Sequence, residues 1–450
     1  MVILGGTLGL VAGAAVAGVT PALVVLLGAL SVGVVFVGAV QPLPAVTTAL
    51  LPLLAIVSNL PAPLTIGGRN LRYVFMVTPI LLSLWGLRAW RSGRWIPLPH
   101  GMALGGLLGA FALATVVRAP DLGAGLGTVA LLTLCLAVYA MTAWALVEGG
   151  TEEVARVVRW LGVGVALYVG SGVLIVLGHW LGLLPPGFAV ETRQVADVAL
   201  ADVGGRLVTP RGFWTVTGSY FAAAAVLGTG LTMTAGPALR PAALIGLIGG
   251  LTGMIMSASR GALVGLVVGL AALLVLVGRG RLMRQVVRLG AIVMVAAVPA
   301  GVYTALSAGA RAAALGRLAT LFDLQAGTTV DRLVLWGWML NDVRERPILG
   351  SGAEAYRVYR DPGYPAESFP IEILHSAGLI GFTCFVVWVL AIVRRTWRAV
   401  PERMPVTISA VAAFVGLNAA VATNPGGWGT FYWVLAGLAA AAAAVENRRT

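Results

Sequence analysis

"SASRGALVGLVVGLAALLVLV", residues 257–277, places Arg260 ahead of a long run without a single charged side chain. About 20 apolar residues suffice to cross the ~30 Å hydrocarbon layer, and lipid tolerates only backbone that bonds internally. Runs of this kind recur from end to end in a chain of 450 residues that is 59% hydrophobic and 10% charged. The strict alternation of a barrel strand is absent. The fold class is therefore an all-α polytopic membrane protein. Spans are expected near residues 3–18, 22–40, 45–60, 73–88, 101–117, 125–147, 160–183, 214–235, 241–257, 261–278, 289–306, 371–393, 405–423 and 429–445, about 12–14 helices in all. The run from Ile3 to Gly18 lacks a basic leader and is followed by further spans, so it reads as a retained helix.

Every one of the 30 basic residues is an arginine, which removes Schiff-base and lysine-nucleophile chemistry. Part of the net charge of +13 is topological, because arginines collect on cytoplasmic loops; the remainder suits anionic lipid or ligand. "RAWRSGR" (88–94), "EEVARVVR" (152–159), "RGRLMRQVVR" (279–288), "RRTWRAVPER" (394–403) and "ENRRT" (446–450) all fall on one side of these spans. That side is read as the cytoplasm, with both termini on it; "GGRNLR" (67–72) breaks the pattern. Cys135 and Cys384 stand singly in apolar runs and have no disulfide or metal spacing.

Three regions follow: transmembrane helices over 1–306 with an external loop at 185–212, an external helical lid over 307–370, and transmembrane helices over 371–450. The lid carries "RLVLWGWMLNDV" (332–343), apolar and aromatic residues at helical spacing, as in helices that lie on a membrane face.

Polar residues gather on the external side. Arg260 is costly at a membrane edge, so it faces a cavity or an anionic ligand, or else snorkels to the headgroups. Arg211 in "TPRGFWTVTGSY" and Arg332 in "TVDRLVLWGW" share that side. Arginine suits a diphosphate, since its planar fork donates two parallel hydrogen bonds and stays charged when desolvated. Read blandly, Arg211 is a loop charge and Arg332 pairs locally with Asp331. Gly350 and Gly352 in "PILGSGAEAYR" permit a tight turn or the close approach of a ligand. His100, His179 and His375 are scattered, and no carboxylate pair has the spacing to hold a metal-bound nucleotide sugar. No metal or cofactor is expected, and no nucleic-acid partner.

The order of these features resembles the O-antigen ligase and O-antigen polymerase superfamily of membrane glycosyltransferases, over about Arg211 to Phe385. The resemblance rests on "RGFW", on "SASRGALVGLVVGL", on "DRLVLWGW" followed by "RPILGSG", and on a polar dyad before "GLIG". It implies transfer of a glycan from a polyprenyl-diphosphate carrier to an acceptor hydroxyl on the outer face of the cytoplasmic membrane, among membrane lipids, without metal. Family ligases commonly open the dyad with histidine eleven residues before the first glycine of "GLIG". Here that position is Glu367, followed by Ser368, which is closer to polymerase-like members and leaves ligation and polymerisation both open.

On this reading Glu367 is a general base that takes the acceptor proton, and Arg211, Arg260 and Arg332 stabilise charge on the departing diphosphate. Glu372, five residues on, points elsewhere and orients the acceptor or caps a neighbour; Ser368, Gly350 and Gly352 support the site. The structural reading of Glu367 is a carboxylate facing a helix dipole. The competing function is a multispan transporter or flippase of lipid-linked saccharide, which predicts inverted repeats and mid-membrane charge. No repeat is found, and the polar residues concentrate on one face.

Overall fold

The structure, a computed structural model, describes residues 42–57, 64–66, 69–71, 73–93, 98–180, 214–257, 259–277, 327–358, 366–397, 404–424 and 426–446. Within them lie α1 (Leu43–Val57), α2 (Tyr73–Ser92), α3 (Gly101–Arg118), α4 (Leu122–Trp180), α5 (Trp214–Thr234), α6 (Arg240–Ser257) and α7 (Arg260–Val277). The chain continues with α8 (Gly327–Glu345), α9 (Phe369–Trp397), α10 (Pro405–Val421) and α11 (Thr430–Glu446). The expected spans at 3–18, 22–40 and 289–306 fall outside the described residues. Among the described residues there is also a small antiparallel ribbon, β1 (Leu64–Ile66) on β2 (Arg69–Leu71), in register Leu64↔Leu71. β2 carries Arg69, one of the arginines that interrupted the charge pattern.

Among the described residues, five helical stretches are long and apolar enough to cross a membrane: Gly101–Arg118, Leu122–Gly170, Val216–Thr234, Arg260–Val277 and Phe369–Arg395. Shorter apolar helices pack with them, α10 and α11 being almost wholly buried, and the protein is a multi-pass helical membrane protein. Close packing depends on small residues: Gly228 lies against Leu247 of α6, Gly250 against Ala225 of α5, and Gly265 and Gly416 bring α7 and α10 together backbone to backbone.

Two helices are too long to be single spans, and each breaks at a glycine. α4 has 59 residues and leaves helical geometry at Gly150 (φ 71°). Thr128 in its first half and Tyr168 in its second both bond to elements at the same end of the bundle, so the chain turns back at Gly150. α9 has 29 residues and breaks at Gly378 (φ 62°). In a straight helix Phe369 and Phe385 would stand ~24 Å apart, yet their rings are 5.6 Å apart. The segment before Gly378 is thus folded over against the span that follows it.

The break exposes main-chain groups that must find partners. They are supplied by the turn that follows α8. Leu379 N–H donates to the Pro347 carbonyl (2.8 Å) and Ile380 N–H to that of Ile348 (3.3 Å). In return Ser351 N–H donates to the His375 carbonyl (2.8 Å) and Gly352 N–H to that of Ser376 (3.1 Å). "PILGSG" and "HSAGLIG" are therefore two halves of one interlock. A Cβ on Gly350 would lie 2.5 Å from the His375 carbonyl oxygen and 2.6 Å from the Gly378 nitrogen, and one on Gly352 would lie 2.8 Å from the Ala119 nitrogen. Arg118 Nη1 donates to the Gly350 carbonyl (3.0 Å), tying the same turn to the end of α3.

Two arginines at the opposite end pair locally. Arg88 pairs with Glu148, and Arg156 with Glu152 (3.0 Å) and Glu153 (2.5 Å). Glu446 of α11 accepts from the Val406 and Thr407 N–H groups (both 3.1 Å) and so caps the start of α10.

Candidate functional site

One end of the bundle collects the last residues of α3, α6 and α10 and the first residues of α4, α5, α7 and α11. α8 crosses it beside the folded-over start of α9. The capping residue of α9 is Ser368, whose Oγ accepts from Ile371 N–H (3.4 Å) and whose carbonyl accepts from Glu372 N–H (3.0 Å). Pro370 fits the first turn, where its missing N–H costs nothing. Glu367, just ahead of the cap, has φ 61°, a left-handed conformation that costs a non-glycine residue roughly 1–2 kcal/mol.

That strained residue is gripped from α8. Arg332 Nη2 lies 2.9 Å from Glu367 Oε2, with the two side chains 25% and 16% exposed, so the pair is shielded yet open to one side. Arg332 Nη1 also donates to the Thr423 carbonyl (3.3 Å) at the end of α10. One turn further along α8, Trp336 Nε1 donates to the Ala366 carbonyl (3.1 Å). Leu335 and Met339 pack with Tyr356 and Ala366 into a small separate core. Asp331, beside Arg332, is exposed, and the local pairing expected of it gives way to the contact with Glu367.

Arg260 begins α7 and is partly buried. The preceding Ser259 caps that helix, its Oγ accepting from Ala262 N–H (3.3 Å). The following Gly261 touches the Thr423 side chain and lies within 3.3 Å of Asn424 Nδ2, measured from the position of a Cβ. Arg332 and the start of α7, where Arg260 sits, therefore meet the same Thr423–Asn424 step. Arg211 lies outside the described residues.

The remaining predicted residues have separate places. Glu372 is buried and accepts from Trp428 Nε1 (2.8 Å), facing the α10–α11 turn, so the two carboxylates do serve different partners. Gly350 and Gly352 meet protein backbone, as described. His375 is fully buried, with its Nε2 3.0 Å from Asp342 Oδ2 of α8. Glu354, also left-handed (φ 64°), is buried between Thr128 Oγ1 (2.5 Å) and Arg357. Among the described residues, no three His, Cys, Asp or Glu side chains gather closely enough to hold a metal ion.

The hub of the site was not anticipated. "TNPGGW", residues 423–428, joins α10 to α11 and gives Thr423 to Arg332 and Trp428 to Glu372. It is anchored to α5 by Asn424 Nδ2, which donates to Ser219 Oγ (2.6 Å), and by Tyr220 Oη, which donates to the Gly426 carbonyl (2.8 Å). The available signal was its turn chemistry, an Asn-Pro-Gly-Gly run between two apolar helices on the side already holding the arginines.

A bundle of membrane helices with an arginine–carboxylate cluster at one end, roofed by a surface helix, is the architecture of a polytopic membrane protein whose polar chemistry sits at the bundle's edge. Residues 242–386, which include Arg260, Arg332 and Glu367, match the family model described as O-antigen ligase. Over that stretch the chain is similar to the O-antigen ligase family, in keeping with glycan transfer of that general type. The family implies lipid-linked glycan substrates and membrane lipids as surroundings. No curated protein matches the chain.

Proposed function

We propose that this protein transfers a glycan from a polyprenyl-diphosphate carrier to an acceptor hydroxyl at the outer face of the cytoplasmic membrane, by ligation or by polymerisation and without a metal. Arg260 and Arg332, with Arg211, hold the diphosphate. Glu367 takes the proton from the attacking hydroxyl as the oxygen bonds to the anomeric carbon and the bond to the diphosphate breaks. The guanidinium groups stabilise the leaving anion, where preorganised charge contributes most. In this reading α8 and the turn after it, the described part of the external segment, roof the site, and both termini are cytoplasmic.

The observation that carries the reading is the contact between Arg332 and Glu367, with the start of α7 beside the same Thr423–Asn424 step. A carboxylate and an arginine fork brought together in one partly shielded place support the reading of a base next to a diphosphate-binding group. A transporter would have little use for a strained carboxylate held at one end of the bundle.

The test is transfer in proteoliposomes, supplying a polyprenyl-diphosphate-linked oligosaccharide and an acceptor and measuring release of polyprenyl diphosphate. Arg260→Ala and Arg211→Ala are each expected to weaken donor handling by roughly 1.5–3 kcal/mol, about 10- to 150-fold, with the protein still folded. Arg→Lys should recover only part, because a point charge does not reproduce the fork. Movement of intact donor across the bilayer without cleavage would replace this proposal with the flippase. Turnover should also persist in excess EDTA; a loss that divalent ion restores would show the metal-free mechanism to be wrong.

A further inference from the structure

We infer that Trp336 is a positioning residue for the transfer reaction, acting through Glu367; the inference rests on the reading of Glu367 as the base. Arg332 and Trp336 are four residues apart and so share one face of α8. They reach adjacent residues of the other strand of chain: Arg332 the carboxylate of Glu367, and Trp336 the carbonyl of Ala366. The second contact fixes the peptide that links Ala366 to Glu367, so it fixes one of the two rotations that aim the Glu367 side chain.

Such a hold is needed because Glu367 sits in a backbone region that side-chain-bearing residues leave readily. Ser368 secures the chain after Glu367 by capping α9. Before Glu367, the indole N–H is the side-chain donor that holds the Ala366 carbonyl. Without it the peptide is free to rotate, and Glu367 relaxes toward ordinary backbone geometry and away from the place where its carboxylate meets Arg332. A carboxylate displaced by about 1 Å loses much of its effectiveness as a base, since proton transfer in the transition state depends on alignment. Donor binding, carried by the arginines, is left alone. Trp336 touches neither the donor nor the reacting atoms.

Trp336→Phe keeps the ring packing and deletes the donor. In full-length protein in proteoliposomes, kcat should fall about 10- to 100-fold while the KM for the donor stays within about twofold. The melting temperature in detergent should change little. Trp336→Tyr, which carries a donor at a different reach, should fall between wild type and the phenylalanine variant. The decisive comparison is Trp336→Phe made on top of Glu367→Gln, where it should cause no further loss, because the group it positions is already absent. Normal turnover in Trp336→Phe would overturn the inference and leave Glu367 as the base. So would a loss that multiplies in full with that of Glu367→Gln, or one explained by a lower melting temperature. Full activity in Glu367→Gln alone would overturn both the base assignment and this role for Trp336.

Discussion

Glu367→Gln is expected to lower turnover by about 10²- to 10⁴-fold, the range for loss of a positioned general base. The amide has nearly the same shape and its oxygen can still face Arg332 Nη2, which lies 2.9 Å from Oε2 in the ion pair, so the left-handed residue and its place against α8 should survive. What is lost is the ability to take a proton. Donor affinity, measured with a non-transferable polyprenyl diphosphate, should stay nearly constant. Glu372→Gln provides the internal comparison: its amide oxygen can still accept from Trp428 Nε1, and the loss should be mild. If Glu367→Gln turns over normally, the carboxylate is merely a neighbour of the helix start. If chemistry is normal but acceptor affinity falls, it binds rather than catalyses.

The second large effect is structural. Gly378→Ala should remove most folded protein, judged by size-exclusion profile and melting temperature in detergent. Two costs add at this position. The residue has φ 62°, and an added Cβ would overlap the Ile348 carbonyl and come within 2.6 Å of the Gly350 nitrogen. Neither neighbour is a flexible side chain, so relief requires the 346–352 turn to separate from α9. That step would leave four main-chain hydrogen bonds unmade; the combined penalty should exceed ~4 kcal/mol, the exceptional range for one substitution. Gly109→Ala in α3 is the control, since no atom lies within 4 Å of a Cβ there. It should leave stability unchanged or raise it. A well-folded Gly378→Ala protein would mean that the interlock does not hold α9 in its folded-over form.

How far the sequence reveals this molecule depends on whether an element is set by local composition or by distant contacts. The run at 261–277 could hardly be anything but a membrane helix, and the expected spans at 101–117, 214–235 and 405–423 coincide closely with α3, α5 and α10. The break in α9 was not legible. "SAGLIG" is as apolar as its surroundings, and the need for a bend comes from the turn at 346–352, which supplies the missing bonds from elsewhere in the chain. The pairing of Arg332 with Glu367 was likewise invisible, although both residues had been singled out, because Asp331 is adjacent in sequence and Glu367 is 35 positions away. Ordinary turn residues concealed the 423–428 hub, whose role comes from what packs against it.

The corner at Gly378 also separates depth from length. Were α9 straight, the eleven positions back to Glu367 would raise the carboxylate ~16 Å beyond the end of its span, clear of the Arg332 fork it now meets. Because the segment folds over, those positions run sideways across the end of the bundle. Adding or removing a residue between Phe369 and Ala377 would therefore shift the carboxylate along this segment by ~1.5 Å and swing it about 100°, rather than lengthen the span. In the proposed reaction the donor's diphosphate arrives at a level fixed by an anchored tail, so height is the coordinate the protein has least freedom to change. Lateral reach toward the acceptor is the one this corner leaves adjustable.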